Sequence, residues 1–152
     1  DIELLEDTPV EHIKEELSKV LHHDAKVIEV AKLDKSITSI DTTVYWAEYK
    51  VDLKNSNLYK NENIKYNIEK VCSLDEIFLK KTNKKGIEKT INIKNSIQSY
   101  RLDEDCLFIV LRTGQNDEIV PVRIDDFMKL IDKTVNFEIT RTRFFDREMK
   151  VL

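Results

Sequence analysis

Leu79-Lys-Lys-Thr-Asn-Lys-Lys-Gly-Ile-Glu-Lys-Thr-Ile-Asn-Ile-Lys94 holds two short alternating runs around one glycine. Glu76 to Thr82 and Ile87 to Lys94 are expected as strands, joined by Asn83-Lys84-Lys85-Gly86. Glycine in the last turn position fits a type I turn closed by a left-handed residue and a bulge. A hairpin set among helices points to the α+β class. The same stretch places six lysines against one glutamate, a charge of +5, in a chain of net charge −4, so everything else carries −9. An acidic body with one concentrated basic element offers a handle for a polyanion.

Working upstream, Ile64, Ile68 and Val71 recur at helical spacing and predict a helix ending near Ser73. Asn55 to Asn63, rich in asparagine and lysine, reads as a loop, and Lys35 to Asp41 as irregular. Thr42 to Leu53 alternates as a long strand, with Thr43, Tyr45, Ala47, Tyr49, Val51 and Leu53 on the core face. Lys26 to Leu33 reads as a strand with Val27 and Ile28 buried. Before it, Thr8-Pro9-Val10-Glu11 has the form of a capping box with proline at the first helical position. Val10, Ile13, Leu17, Val20 and Leu21 extend it as one apolar stripe ending near His22-His23.

Downstream, Asn95 to Tyr100 is expected as a helical turn. Asp105 to Thr113 contains Cys-Leu-Phe-Ile-Val-Leu, apolar on both faces, and is expected as a central strand. Ile124, Phe127, Met128 and Ile131 mark a third helix, and Val135 to Phe145 a last strand. The expected architecture is one mixed or antiparallel sheet with about three helices in a single domain over residues 1–152. Its first half, Asp1 to Thr82, follows a ferredoxin-like βαββαβ order. The chain opens Asp1-Ile-Glu-Leu4, without methionine and already in strand-like alternation, so it reads as a C-terminal fragment of a longer domain.

Composition narrows the function. At 152 residues and 36% charged, the chain supports one core, and no run approaches the ~18 apolar residues of a membrane span. With two glycines, Gly86 and Gly114, neither a dinucleotide fingerprint nor a P-loop can be built. Cys72 and Cys106 stand 34 positions apart without a CxxC, which fits reduced core cysteines of a cytoplasmic protein. His12 and His22-His23-Asp24 lack a second ligand pair, so no metal is expected. No GxSxG serine or Cys–His arrangement occurs, and no catalytic residue is assigned.

Three stretches carry a family resemblance: Trp46-Ala-Glu-Tyr-Lys-Val-Asp-Leu53, the segment Lys81 to Lys94, and Leu111-Arg-Thr-Gly114 with Ile139-Thr-Arg-Thr142. Together they resemble the bacterial radical-SAM-linked protein family, a domain of unknown function fused to or encoded beside a radical SAM protein, often near genes for ribosomal proteins and an RNase of the E/G type. That family also has a preceding Gly-Phe-Asn-Pro-His-Pro segment, to which nothing here corresponds. Asn92 stands where it usually has aspartate and Lys94 where it has arginine. The resemblance implies a radical SAM protein as partner. The three-cysteine cluster motif of such enzymes is absent, so no cofactor is expected on this chain.

Candidate contacts for ribosomal or transfer RNA are Lys80, Lys81, Lys84, Lys85, Lys89 and Lys94, with Arg112 and Arg141 as bidentate phosphate ligands. The bland readings are a solvated edge hairpin kept soluble by lysine and arginines paired with Glu48 or Glu138 across the sheet. Trp46 is the one candidate for an exposed stacking ring, and with Glu48 it marks a possible pocket. The resulting expectation is a non-enzymatic accessory module that binds RNA through the basic hairpin. The alternatives are a protein–protein adapter for the radical SAM partner, or part of an enzyme whose site includes the missing N-terminal segment and brings Glu48, Arg112 and Arg141 together.

Overall fold

A computed structural model of the chain describes residues 4, 6–32, 40–54, 63–82, 86–114, 119–134 and 136–152. They fall into two compact units, Asp1–Ile40 and Asp41–Leu152.

In the first unit, helix α1 spans Val10–Val20. Pro9 is its N-cap residue, outside the helix, and no side chain caps the end; the Thr8 hydroxyl donates instead to the Glu6 carbonyl. The expected capping box is therefore not formed. The stripe is only partly covered: Val10, Ile13 and Leu17 are half-buried, while Val20 is 78% exposed. Lys26 to Lys32 forms no strand, and Ile28, expected inside, is 84% exposed. What holds this segment is polar: the Lys14 ammonium donates to the Ile28 carbonyl at 2.9 Å, and Lys32 pairs with Asp7 at 2.6 Å.

The second unit holds the core. A helical turn α2, Ile40–Thr43, precedes β1, Trp46–Asp52, and the core follows with α3 (Asn63–Ser73), β2 (Phe78–Thr82), β3 (Glu88–Asn92), β4 (Ile97–Leu102), β5 (Cys106–Arg112), α4 (Ile124–Ile131) and β6 (Glu138–Phe145). Four strands form an antiparallel sheet in the order β4-β5-β1-β6, and β2-β3 form a separate two-stranded sheet. The class is α+β. The βαββαβ order is not what these strands make, because β2 pairs with β3 rather than joining β1, and Lys26 to Lys32 adds no strand.

The helices cover one face of the four-stranded sheet. Ile64, Ile68 and Cys72 of α3, one turn apart each, and Ile124, Phe127, Met128 and Ile131 of α4 bury into a cluster with Tyr49, Val51, Leu107, Ile109 and Leu111. Asp125 and Asp126 in the first turn of α4 and Lys129 in its last complement the helix dipole. Leu79 and Ile93 bring the hairpin onto the same cluster. On the opposite face, Trp46, Val110 and Phe145 pack together with Tyr45, Ile119 and Met149. Among the described residues no helix is long and apolar enough to cross a membrane.

Candidate functional site

The hairpin ladder runs Phe78–Asn92, Leu79–Ile91, Lys80–Thr90, Lys81–Lys89, Thr82–Glu88. Opposite residues of an antiparallel pair share a face. Leu79 and Ile91 face the core, and Lys81 and Lys89 stand on that same side two pairs nearer the tip. Lys80 lies on the other, solvent side with Thr90, beside Phe78, which is 52% exposed. Gly86 closes the turn at φ +77°, the left-handed conformation expected there. Lys84 and Lys85 lie outside the described residues.

The lysines differ in what they already hold. The Lys81 ammonium donates to the Pro121 carbonyl at 3.1 Å, tying the hairpin to the segment before α4. Ser96 makes a neighbouring tie, its buried hydroxyl donating to Val120 O at 2.6 Å. Lys94 donates to the Cys72 carbonyl at 2.8 Å, an orphan acceptor in the last turn of α3. That bond places a cation at the negative end of the helix dipole. Lys80 and Lys89 are exposed. Among the described residues no carboxylate forms an ion pair with Lys80, Lys81, Lys89 or Lys94.

Of the two arginines, only Arg112 is built into the core. Arg112 is 0% exposed; its Nη1 donates to the Tyr45 carbonyl at 2.7 Å and its guanidinium lies 4.1 Å from the centre of the Tyr45 ring and 5.7 Å from that of Trp46. The same carbonyl accepts the Thr113 N–H at 3.0 Å. Trp46 itself is 8% exposed, so its ring is core rather than a stacking platform. Arg141 is exposed, its guanidinium 4.6 Å from the Phe144 ring centre. Glu48 accepts from the Thr142 hydroxyl at 2.6 Å and lies 4.0 Å from Arg143. In register, Arg141 is opposite Tyr49 on the helix-covered side, whereas Glu48 is opposite Val110 on the other side. Glu48, Arg112 and Arg141 therefore do not converge on one pocket.

A cleft of 310 Å³ does open elsewhere, lined by Cys72, Lys94, Ile97, Gln98, Ser99 and Tyr100. Burial pushes the Cys72 thiol up to about 11, against the opposing pull of Lys94. Partial burial, with the nearby Cys72 and Glu69, raises the Tyr100 phenol as well. A protonated thiol at neutral pH is a poor nucleophile. Residues 97–100 read as a helical turn in sequence; the cleft was invisible there because they form a strand. His22, His23 and Asp24 bring ligand atoms within 4.8 Å of one another, but all three are exposed neighbours on one turn.

The second unit is thus an α+β domain that carries a lysine-bearing hairpin beside a helix-backed antiparallel sheet. The chain belongs to a family described as an uncharacterized protein conserved in bacteria (DUF2344), whose model matches residues 1–121. That span takes in the hairpin, β4, β5 and the Arg112 site, and leaves out α4 and β6. No curated protein and no solved structure matches the chain.

Proposed function

We propose that this chain is an accessory module, without chemistry of its own, that holds RNA by the β2–β3 hairpin and works beside a radical SAM protein. The observation that carries the RNA reading is the Lys81–Lys89 pair, two lysines directly opposed in the ladder, neither of them ion-paired to a carboxylate of the described residues. Like charges directly opposite destabilise a strand pair. A phosphate between or beside them removes that repulsion and releases counterions from the nucleic acid. Lys80 adds a cation on the outer side. The bonds of Lys81 and Lys94 to carbonyls do not remove them, since an ammonium group has three donors and each uses one here. The radical SAM partner is carried by the family resemblance of the strands and hairpin.

Fluorescence anisotropy with a labelled single-stranded RNA, repeated over a range of salt, tests the reading. Contacts from Lys80, Lys81 and Lys89 give a slope of log K against log salt of about −2, at roughly −0.7 per phosphate neutralised. Binding that is flat in salt contradicts it. Capture of the radical SAM protein that survives nuclease treatment, from a chain that binds no RNA, replaces it with the adapter reading.

A further inference from the structure

The four-stranded sheet has two edges, and they are protected unequally. At β6 the register slips between Glu48 and Tyr49, Glu138, Arg141 and Arg143 stud the strand, and the tail closes over its end through the Phe145–Val151 bridge and the Leu152 N–H bond to Phe144 O at 3.0 Å. Bulges and charges of this kind block a further strand from adding. The other edge is β4, Ile97-Gln-Ser-Tyr-Arg-Leu102, with no proline, lysine or acid. Its single charge, Arg101, is held by Asp103 at 2.8 Å. Its own irregularity falls between Ile97 and Ser99, so Ser99 to Leu102 remains a regular unpaired rim among the described residues. Beside that rim lies the 310 Å³ cleft, and Tyr100, 40% exposed, stands at its mouth.

We propose that β4 pairs antiparallel with β4 of a second copy of this chain, so that the two sheets run on as one, with Tyr100 at the two-fold axis. A second copy fits this rim in register and in charge. Tyr100 is opposite Ile109 and Leu102 opposite Leu107, on the helix-covered side; Ser99 and Arg101 are opposite Val110 and Phe108, on the other. Strands paired about an axis normal to the sheet must match residues of the same side. Centring on Tyr100 sets Tyr100 against its own copy and Ser99 against Arg101 in both directions, and no like charges meet. Centring on Arg101 instead opposes two guanidinium groups. In the Tyr100 register the second copy's ring lies on the helix side, over the cleft walled by Cys72 and Lys94, and an aromatic cross-strand pair is a stabilising one.

Sedimentation equilibrium of the chain, from micromolar to near-millimolar concentration, reads this directly. The weight-average mass is expected to rise from 17.9 kDa toward twice that value. Tyr100→Lys and Tyr100→Glu each oppose like charges at the axis and are expected to stay at the monomer mass, while an equal mixture of the two regains the doubled mass. A wild-type chain that remains a monomer overturns the proposal and leaves the edge to a strand of a different protein. A doubled mass that persists in Tyr100→Lys, or a mixture that fails to regain it, places the contact elsewhere and overturns it too.

Discussion

Lys81 and Lys89 occupy directly opposed positions in the β2–β3 ladder, on the side that Leu79 and Ile91 turn toward the core. An arrangement that weakens the hairpin and is unrelieved by the described acids separates stability from binding. Lys89→Glu supplies the missing counter-charge to Lys81. It is expected to stabilise the fold by about 0.2–1 kcal/mol while weakening RNA binding. Chemical denaturation and anisotropy on the same variant check both directions; a loss of stability contradicts the first.

Lys94 serves the fold as well as the charge. Lys94→Gln removes a cation from the α3 C-terminus and is expected to cost about 0.3–1 kcal/mol, whereas Lys80→Gln, on the solvent side, is expected to leave the unfolding midpoint in place. Equal stability of the two variants contradicts the capping role.

The Cys72 thiol gives a pH signature. Its value rises from 9.0 to about 11 on folding, through burial, with Lys94 pulling the other way. A raised folded value means that the stabilisation is complete below pH 9 and is lost as pH climbs to about 11. The change is of the order of 2–3 kcal/mol across that window. Denaturation at pH 8 and pH 11, in the wild type and in Cys72→Ala, isolates it from the tyrosines and lysines that titrate nearby. An equal loss in both proteins contradicts it.

The two glycines are needed for different reasons. A Cβ at Gly114 would sit 2.3 Å from the Val44 carbonyl oxygen, a backbone atom, next to the carbonyl that Arg112 grips. Gly86 has open space around it but φ +77°. Gly114→Ala is expected to cost about 1–3 kcal/mol through overpacking, and Gly86→Ala about 1 kcal/mol through backbone strain. Thermal melts that rank them the other way contradict this account.

Helices and central strands were legible in the sequence because burial writes a period into them. Ile124, Phe127, Met128 and Ile131 repeat at helical spacing, and Cys106 to Leu111 is apolar on both sides because it is a central strand packed by the helices on one face and beside Trp46 and Phe145 on the other. Edge strand β4 was not legible: Gln98 to Arg101 is exposed, so no alternation marks it. Trp46 looked exposed because its neighbours on that side of β1, Glu48 and Lys50, are polar. Ile119 and Met149, distant in the chain, bury it. The capping box failed because Pro9 sits before the helix rather than inside it. In the candidate site the strands and turn glycine were readable, but which lysines share a side depends on a register that only the pairing reveals.

The most direct test of the central claim compares the wild type with a Lys80→Glu, Lys81→Glu, Lys89→Glu triple variant for binding to labelled single-stranded RNA at low salt. The account predicts at least a tenfold loss of affinity and a salt slope nearer zero by about 2. Affinity and slope that match the wild type in a variant that keeps its fold would contradict it.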